Sequence, residues 1–385
     1  MGMQLYLGKC DTYEYEVIEK HIAAILSARF PDVSDFSGKR IFIKVNGLTK
    51  AKAEQAMTTH PTLVAAAAKW FILRGAEVRI GDNPAGIHDE AWLRAVYRAA
   101  GYEEAAQKTG AELTFDREII ERSCDGECCQ TFRVCNMALD RDIFINIAKL
   151  KTHEYTRYTG CVKNLYGTLP AEQRSALHAQ FKEVNDFSNM LVDLYQCIAP
   201  DLSILDAVVG MEGSGPSAGE PREIGVLIAS DNAHDVDYVG ARLIGMRPEE
   251  VKTLENAIRR GLVSVQEDTA LAEKIALLAV KNFKMPANSA NSLSNRLPKP
   301  VYRFLSNHMK KYPQFDKKKC VSCGICVKNC PQGALRLEGK PVFDQSKCIC
   351  CYCCQEMCPK KAIDLKDTFV TRALTTAKRL YRKIR

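Results

Sequence analysis

The apolar residues of the chain follow two alternating patterns. Short runs rich in β-branched and aromatic residues predict strands, and longer stretches with apolar residues every three to four positions predict helices between them. The predicted strands are Arg40–Val45, Ala76–Ile80, Glu112–Phe115, Asp142–Ile147, Leu202–Val209 and Glu223–Ala229. The predicted helices cover residues 14–30, 62–74, 89–100, 171–183, 186–198, 233–245, 248–261 and 267–282. This alternation indicates an α/β fold with a mostly parallel sheet and helices on both of its faces.

The alternation ends near residue 284, and a chain of 385 residues is long enough for more than one domain. Residues 1–283 form the predicted α/β body, and residues 284–310, rich in Asn, Ser, Pro and Lys, form a predicted linker. We predict a small cysteine-rich domain at residues 311–367 and a basic amphipathic tail at residues 368–385. The tail is expected to pack on the body, and contact with a membrane surface or a partner is the alternative.

The spacing C-x2-C-x2-C-x3-C-P occurs twice in the small domain, at Cys320–Pro331 and Cys348–Pro359. Bacterial two-cluster ferredoxins use this spacing for [4Fe–4S] clusters, and the fourth cysteine of each run binds the other cluster. One run alone would also suit a zinc knuckle or disulfides, but two runs favour a two-[4Fe–4S] ferredoxin-like domain. The predicted ligands are Cys320, Cys323, Cys326 and Cys358 for one cluster and Cys348, Cys351, Cys354 and Cys330 for the other. Cys350 and Cys353 are less well spaced alternatives.

The composition is that of an ordinary globular protein, with 46% hydrophobic and 26% charged residues. No apolar run approaches the ~18 residues of a membrane span, and the first residues lack the apolar segment of a signal peptide. The 17 cysteines are an odd number, and their metal-type spacing favours reduced thiols over disulfides. These features predict a cytoplasmic protein without a transmembrane segment, in an anaerobic or strongly reducing setting.

Positive charge is concentrated in the C-terminal part of the chain. Residues 301–385 contain 19 Lys and Arg against 6 Asp and Glu, a net charge of +13, whereas residues 1–300 carry −5. A basic domain of this kind attracts acidic partners over long distances. Because thiolate-ligated clusters are themselves anionic, the alternative is that part of this charge only offsets them.

Polar and charged residues follow the predicted strands at their carboxyl ends, where open α/β sheets bind ligands. Lysine binds carboxylates and phosphates, and histidine exchanges protons near neutral pH. The candidate substrate-binding residues are Lys44, Asn46, Asp82, Lys149, Lys163, Asn164 and Asp206. The candidate catalytic residues are His153, Lys151 and Asp231. For each of them, a solvated or merely hydrogen-bonded side chain is the simpler alternative.

Two further motifs leave their roles open. The group Cys124, Cys128, Cys129 and Cys135 has the spacing C-x3-C-C-x5-C, which matches no standard cluster or zinc pattern. Free thiols and a metal or redox role are both compatible with it. The glycine-rich segment 210–219 lacks the phosphate-binding motifs of nucleotide sites, so it gives no basis for a nucleotide site. Approach to a ligand through its backbone and a simple turn are the alternatives.

Short segments near the predicted strand ends together resemble a known family. They are Lys44-Val-Asn46, Thr59-His60-Pro61, Gly81-Asp82, Lys149-Leu-Lys151-Thr-His153, Thr159-Gly160, Lys163-Asn164-Leu-Tyr-Gly167, Asp206, Glu212-Gly213-Ser-Gly215-Pro216, Ala229-Ser-Asp231 and Asp237. This combination, over about residues 38–250, resembles the widespread bacterial and archaeal domain of unknown function 362. Many members resemble this chain in carrying a two-cluster ferredoxin module. The resemblance implies the architecture and the clusters but no particular reaction.

The sequence therefore predicts an iron–sulfur electron-transfer protein. We expect a low-potential soluble donor, either of ferredoxin or flavodoxin type or an acidic oxidoreductase, to pass electrons through two [4Fe–4S] clusters. An anionic small-molecule substrate on the body would accept them, which would make the protein a ferredoxin-dependent oxidoreductase. The alternative is a non-enzymatic electron carrier or a maturation or accessory factor. Nucleic acid is not an expected partner, because the basic tail has few interleaved aromatic residues.

Overall fold

The predicted α/β body is present in the computed structural model, which describes residues 3, 5–84, 89–286 and 311–366. Its central sheet has the strand order β1-β10-β9-β7-β2-β3-β4, with β8 paired to β7. The strands are β1 (Tyr6–Lys9), β2 (Arg40–Lys44), β3 (Glu77–Gly81), β4 (Glu112–Leu113), β7 (Ile143–His153), β8 (Arg157–Thr159), β9 (Leu202–Glu212) and β10 (Glu220–Ser230). The pairs β2–β3, β2–β7, β3–β4 and β7–β9 are parallel, whereas β1–β10, β9–β10 and β7–β8 are antiparallel. The sheet is thus mostly parallel.

Helices cover both faces of this sheet. They are α1 (Tyr15–Arg29), α2 (Pro61–Ile72), α3 (Glu90–Ala99), α4 (Tyr102–Thr109), α5 (Cys161–Asn164), α6 (Ala171–Gln180), α7 (Val184–Ile198), α8 (Ala233–Leu243), α9 (Lys252–Arg259) and α10 (Thr269–Leu278). Successive side chains of a strand point to opposite faces. Accordingly Ile41 and Ile43 pack in the core that contains α1 and α2, while Phe42 packs in the core that contains α7 and α8.

Strands β7 and β9 are longer than their apolar patterns predict. The apolar run of β7 ends near Ile147, but the strand continues to His153, and Lys149 and Lys151 lie within it. Asp206 likewise lies inside β9 rather than at its end. Both strands therefore project beyond β2, which ends at Lys44. The projecting parts form the carboxyl edge of the sheet, on which the candidate site is built.

The prediction that Asp231 lies at this edge is wrong. Strand β10 runs antiparallel to β9, so that its last residue, Ser230, pairs with Ser203 near the start of β9. The short turn between the two strands explains this, because a parallel crossover needs a dozen or more residues. Asp231 is at the opposite edge of the sheet, where its Oδ2 accepts a hydrogen bond from the backbone N–H of Met3 at 2.8 Å.

Short hairpins and helices build the remaining described parts. In the body, β5 (Ile119–Ser123) and β6 (Thr131–Cys135) form an antiparallel hairpin. In the small domain, β11 pairs with β14 and β12 with β13, both antiparallel. Its elements are β11 (Tyr312–Phe315), α11 (Ile325–Lys328), β12 (Leu335–Glu338), β13 (Lys340–Phe343), α12 (Cys353–Glu356) and β14 (Ile363–Lys366). The predicted linker beyond residue 286 and the predicted tail lie outside the described residues.

Candidate functional site

Two cavities in the small domain are lined by the predicted cluster ligands. The first cysteine cavity is lined by Cys320, Cys323, Cys326 and Cys358. The second cysteine cavity is lined by Cys330, Cys348, Cys351 and Cys354, with Cys350 and Cys353 beside them. Each cavity thus combines three cysteines of one run with the fourth of the other. Among the described residues, no three His, Cys, Asp or Glu side chains converge on a point where a single metal ion would bind.

Backbone N–H groups point at four of these sulfurs, in the same way in both halves. The N–H group of Ser322 donates to Cys320 Sγ at 3.5 Å, and that of Cys350 donates to Cys348 Sγ at 3.4 Å. The N–H group of Ala334 donates to Cys330 Sγ at 3.2 Å, and that of Ala362 donates to Cys358 Sγ at 3.2 Å. Ser322 and Cys350 both have a left-handed backbone, with φ of 56°. Hydrogen bonds of this kind stabilise a thiolate and tune the potential of a cluster bound to it. The donor set and its surroundings therefore fit [4Fe–4S] clusters.

The two cysteine cavities have different surroundings. Around the first, Cys323 is exposed and Val321 is 56% exposed. The neighbouring exposed lysines are Lys317, Lys318, Lys319, Lys360 and Lys361. Beside the second, Cys350 and Tyr352 are buried in the core of the body, where the rings of Tyr352 and Tyr155 are 6.4 Å apart. The first cavity is thus near solvent and the second faces the body.

A polar pocket lies between the body and α12, and we call it the interface pocket. It is a cavity of about 110 Å³ that opens to solvent. The polar residues and cysteine that line it are Asn46, Asp82, Asn83, Lys163, Asn164, Tyr166, Arg174, Ser175, His178, Asn329, Cys353 and Glu356. Four predicted site residues, Asn46, Asp82, Lys163 and Asn164, are therefore brought together here.

Lys163 and Arg174 give the interface pocket its positive charge. Lys163 is half-buried on α5, and its ammonium group has no hydrogen bond or ion pair in the described part of the chain. Burial lowers the pKa of Lys163, and the Glu356 carboxylate opposes this shift. Arg174 donates to the carbonyl oxygen of Pro84 at 3.3 Å. Its remaining donors and the Lys163 ammonium group suit an anionic ligand.

Lys44 lies beneath the pocket and is already paired. Its Nζ is 2.7 Å from Asp82 Oδ1, and both side chains are buried. The backbone N–H of Gly47 donates to the other oxygen of Asp82 at 2.6 Å. A Cβ on Gly167 would be 2.5 Å from Asp82 Oδ1 and 3.0 Å from Lys44 Nζ, so only glycine lets the chain cover this pair. The pair supports the pocket floor.

Lys151 orients two amides of the pocket. Its Nζ donates to Asn46 Oδ1 at 2.5 Å and to the carbonyl oxygen of Met57 at 2.7 Å. The Nδ2 of Asn46 donates to Asn164 Oδ1 at 3.0 Å, and Asn164 donates in turn to Asn146 at 2.8 Å. Burial and the nearby Lys163 lower the pKa of Lys151 to about 7. Lys151 therefore acts on the pocket through Asn46 rather than by lining it.

His153 joins the body to the small domain. Its Nδ1 accepts hydrogen bonds from the backbone N–H groups of Tyr155 at 3.0 Å and Thr156 at 3.4 Å. The neutral ring therefore carries its proton on Nε2, which lies 3.1 Å from Glu356 Oε1. Burial and Lys163 lower the pKa of His153 to about 4, which keeps the ring neutral. His153 binds α12 and does not line the pocket.

The comparison with known proteins is consistent with this architecture. A family model described as a domain of unknown function (DUF362) matches residues 41–242. The chain belongs to the DUF362 family. A second model, described as a 4Fe-4S binding domain, matches residues 313–336, so the chain is an iron–sulfur protein of this family.

This chain is similar to one curated relative and, much more distantly, to one solved structure. The thylakoid-associated protein sll1697 of Synechocystis sp. is 33% identical over 256 residues, which cover 65% of this chain and 77% of the relative. The lactate racemase apoprotein from Thermoanaerobacterium thermosaccharolyticum has 12% identity and a TM-score of 0.40, over 62% of this chain and 56% of that chain. This chain thus spans little more than half of that structure, and so distant a likeness adds nothing to the site. No helix within the described ranges is long and apolar enough to cross a membrane.

Lys149 and Asp206 of this DUF362 body lie outside the interface pocket. The Nζ of Lys149 is 2.9 Å from Asp206 Oδ2, and the two side chains are 1% and 0% exposed. Tyr13 donates to Asp206 at 2.8 Å and accepts from Lys149 at 2.8 Å. The pair joins β7 to β9 below the edge, so its geometry indicates a structural role.

Arg174, His178, Cys353 and Glu356 are pocket residues to which the strand-end pattern did not point. Arg174 and His178 lie on α6, in a segment without a strand-end signal, and Cys353 and Glu356 belong to the small domain. The ring of His178 stacks on Phe187 at 4.3 Å, and its buried Nδ1 has no partner among the described residues. The cysteine spacing made Cys353 a less well spaced alternative ligand, which is the sequence signal that sets it apart from the eight predicted ligands.

We expect Lys149→Met to lower the free energy of unfolding by ~3–5 kcal/mol, because it leaves the Asp206 carboxylate buried without its cation. Urea unfolding followed by tryptophan fluorescence measures this loss. Lys108→Met is the matched control, since Lys108 is paired with Glu104 on the surface and such pairs contribute only ~0–1 kcal/mol. The double variant Lys149→Met, Asp206→Leu should recover part of the loss. Equal losses for Lys149→Met and Lys108→Met would contradict the structural role.

Proposed function

We propose that this protein carries two [4Fe–4S] clusters and passes electrons to an anionic small molecule in the interface pocket. The position of α12 carries the proposal. Cys354 of this helix lines the second cysteine cavity, while its neighbours Cys353 and Glu356 line the interface pocket. A cluster held by Cys354 would therefore adjoin the pocket.

The eight cysteines of the two cavities would hold the clusters. When bound, the clusters would supply a one-electron path from the exposed end of the small domain to the pocket. The cysteine cavities support this arrangement, because each is lined by four of the predicted ligands. A cluster that only stabilises a small domain need not be duplicated, so two complete sets favour electron transfer. A cytoplasmic, low-oxygen setting would protect such clusters.

The chemistry of the interface pocket supports a carboxylate or phosphate as substrate. Lys163 and Arg174 would supply charge-assisted hydrogen bonds to its oxygens. Asn46 and Asn164, oriented through Lys151, would fix its position. Burial lowers the pKa of His178 to about 3, so its ring would serve as a neutral hydrogen-bonding group.

The exposed end of the small domain supports a negatively charged electron donor. Five exposed lysines are close in sequence to the ligands of the first cysteine cavity, and the exposed Val321 lines this cavity and offers an apolar contact. Long-range attraction between such a surface and an acidic ferredoxin, flavodoxin or oxidoreductase would raise the rate of encounter. The alternative function is that of an electron carrier or accessory factor, in which the same surface docks a partner and the pocket binds no substrate.

The anaerobically purified protein is expected to contain about eight iron and eight sulfide ions per chain, which chemical analysis of both elements measures. Cys351→Ser should lower the iron content to about half, because it removes one of the predicted ligands of the second cluster. Cys350→Ser is the matched control at the neighbouring residue and should retain the full iron content. About four irons in the unaltered protein, zinc in place of iron, or equal losses in the two variants would contradict the assignment.

Lys163→Gln should slow electron delivery to a pocket substrate roughly 10- to 100-fold, the loss expected for a hydrogen bond to a charged group. The dithionite-reduced protein would be mixed with a panel of carboxylates and phosphates that carry a reducible group. Reoxidation is followed by the visible absorbance of the clusters. Lys108→Gln is the surface control, and iron content must be equal in all samples. If no compound reoxidises the protein, or if Lys163→Gln behaves as the parent, the carrier function is favoured instead.

Replacing Lys317 and Lys318 by Glu should slow reduction by a reduced flavodoxin roughly tenfold at low ionic strength. Added salt should slow the parent protein and reduce the difference, since screening weakens charge attraction. Stopped-flow measurement of the second-order rate constant tests this. The control is Lys20→Glu with Lys39→Glu, which makes the same charge change on the body. A docking site at the small domain is excluded if both double variants are slowed alike.

A further inference from the structure

Four cysteines of the body lie together beside α7, outside both cysteine cavities and the interface pocket. Cys124, Cys128 and Cys129 belong to the loop between β5 and β6, and they pack on the hydrophobic core that includes Cys197 of α7. The sequence motif grouped Cys135 with the first three. The structure separates Cys135, which is buried on β6 and accepts a hydrogen bond from Asn83 Nδ2 at 3.6 Å. Cys197 takes its place in the group.

The loop between β5 and β6 is held on α7 by one carboxylate. Asp193 is fully buried and accepts hydrogen bonds from the backbone N–H groups of Glu127, Cys128 and Cys129 at 3.0, 2.9 and 2.9 Å. Arg260 Nη1 is 2.7 Å from the same carboxylate. These contacts fix the backbone of the loop, and with it the positions of its cysteines.

Two of the loop cysteines are engaged elsewhere. The thiol of Cys128 donates to Asp193 Oδ2 at 3.1 Å, and burial with this carboxylate raises its pKa. The thiol of Cys129 donates to the carbonyl oxygen of Thr131, the first residue of β6, at 3.6 Å. The thiols of Cys128 and Cys129 therefore donate their hydrogen bonds to groups other than Cys197 of α7.

The sulfurs of Cys124 and Cys197 each contact a backbone carbonyl close to the other cysteine. The sulfur of Cys124 is 4.0 Å from the carbonyl oxygen of Asp193, one helical turn before Cys197. An α-helical carbonyl accepts from the N–H group four residues later, so this sulfur lies beside Cys197. In turn the sulfur of Cys197 is 3.8 Å from the carbonyl oxygen of Arg122, two residues before Cys124. These reciprocal contacts bring the two thiols together.

We propose that Cys124 and Cys197 are a thiol pair that forms a reversible disulfide when a low-molecular-weight disulfide is present. The Cys124 thiolate attacks one sulfur of the small disulfide, which gives a mixed disulfide and releases one small thiolate. The Cys197 thiol, on losing its proton, then displaces the second small thiol from Cys124. The pair loses two electrons and two protons, and the small disulfide becomes two thiols.

The surroundings of the two thiols agree with this order of steps, in which Cys124 reacts first. Cys124 is partly exposed, whereas Cys197 is buried. Burial and the neighbouring Cys124 raise the pKa of Cys197 to about 12, so Cys197 is the poorer first nucleophile. The resulting bond would fasten the hairpin of β5 and β6 to α7. Every residue of β5 is exposed, so this hairpin has little apolar contact of its own at that strand.

The test uses full-length, cluster-loaded protein kept without oxygen and treated with oxidised glutathione. Free thiols are then alkylated, and the digest is mapped by mass spectrometry without reduction. We expect a peptide that links the Cys124 loop to the Cys197 segment, and its loss on treatment with dithiothreitol. Trypsin cuts at Arg122 and Arg133, so Cys124, Cys128 and Cys129 share one peptide and variants are needed to tell them apart.

Cys124→Ser should abolish the linked peptide, whereas Cys128→Ser and Cys129→Ser should keep it. Cys197→Ser should instead trap Cys124 as a mixed disulfide with glutathione. The proposal is overturned if both cysteines of the unaltered protein are alkylated after treatment. It is also overturned if the link survives in Cys124→Ser, because another loop cysteine would then be the partner of Cys197.

Discussion

Burial of lysine at the carboxyl edge of the central sheet is the constraint on which the site depends. An ammonium group removed from water needs a hydrogen-bonding or charged partner to offset its lost hydration. The partners are Asp82 for Lys44, Asp206 and Tyr13 for Lys149, and Asn46 with the Met57 carbonyl for Lys151. Lys163 has no hydrogen bond or ion pair among the described residues, and the nearby Glu356 carboxylate only partly offsets its burial. The three lysines with partners stabilise the carboxyl edge, and Lys163 adds a positive charge that these pairs do not neutralise.

The position of Lys163 is fixed from the opposite end of α5. Asp237 accepts hydrogen bonds from the first two N–H groups of this short helix, at 2.6 Å from Cys161 and 3.0 Å from Val162. Gly160 precedes them, and a Cβ there would lie 2.0 Å from Asp237 Oδ1. An anion that enters the pocket would therefore meet a cation whose backbone is already ordered, which lowers the entropic cost of binding.

Two features of this protein could be predicted from the sequence because each depends on local spacing. Apolar periodicity specifies strands and helices, and the cysteine spacing specifies which sulfurs share a cavity. Ion-pair partners cannot be obtained in this way, since Lys44 and Asp82 are 38 residues apart and nothing local connects them. The placement of Asp231 was wrong because strand direction depends on the turn before it. The contribution of α12 was missed because it depends on how two domains pack.

Packing of α12 on the body connects the two parts of the proposed function, electron transfer and substrate binding. Glu356 Oε1 lies 3.1 Å from Nε2 of the neutral His153 ring, and Glu356 also lines the pocket that contains Lys163. One contact therefore closes the pocket and brings the second cysteine cavity beside it. A small domain on its own would have the cysteines but no pocket, and the body alone would have an uncovered cation. Under the proposed function, electron delivery and substrate binding would require the same docked arrangement of the two domains.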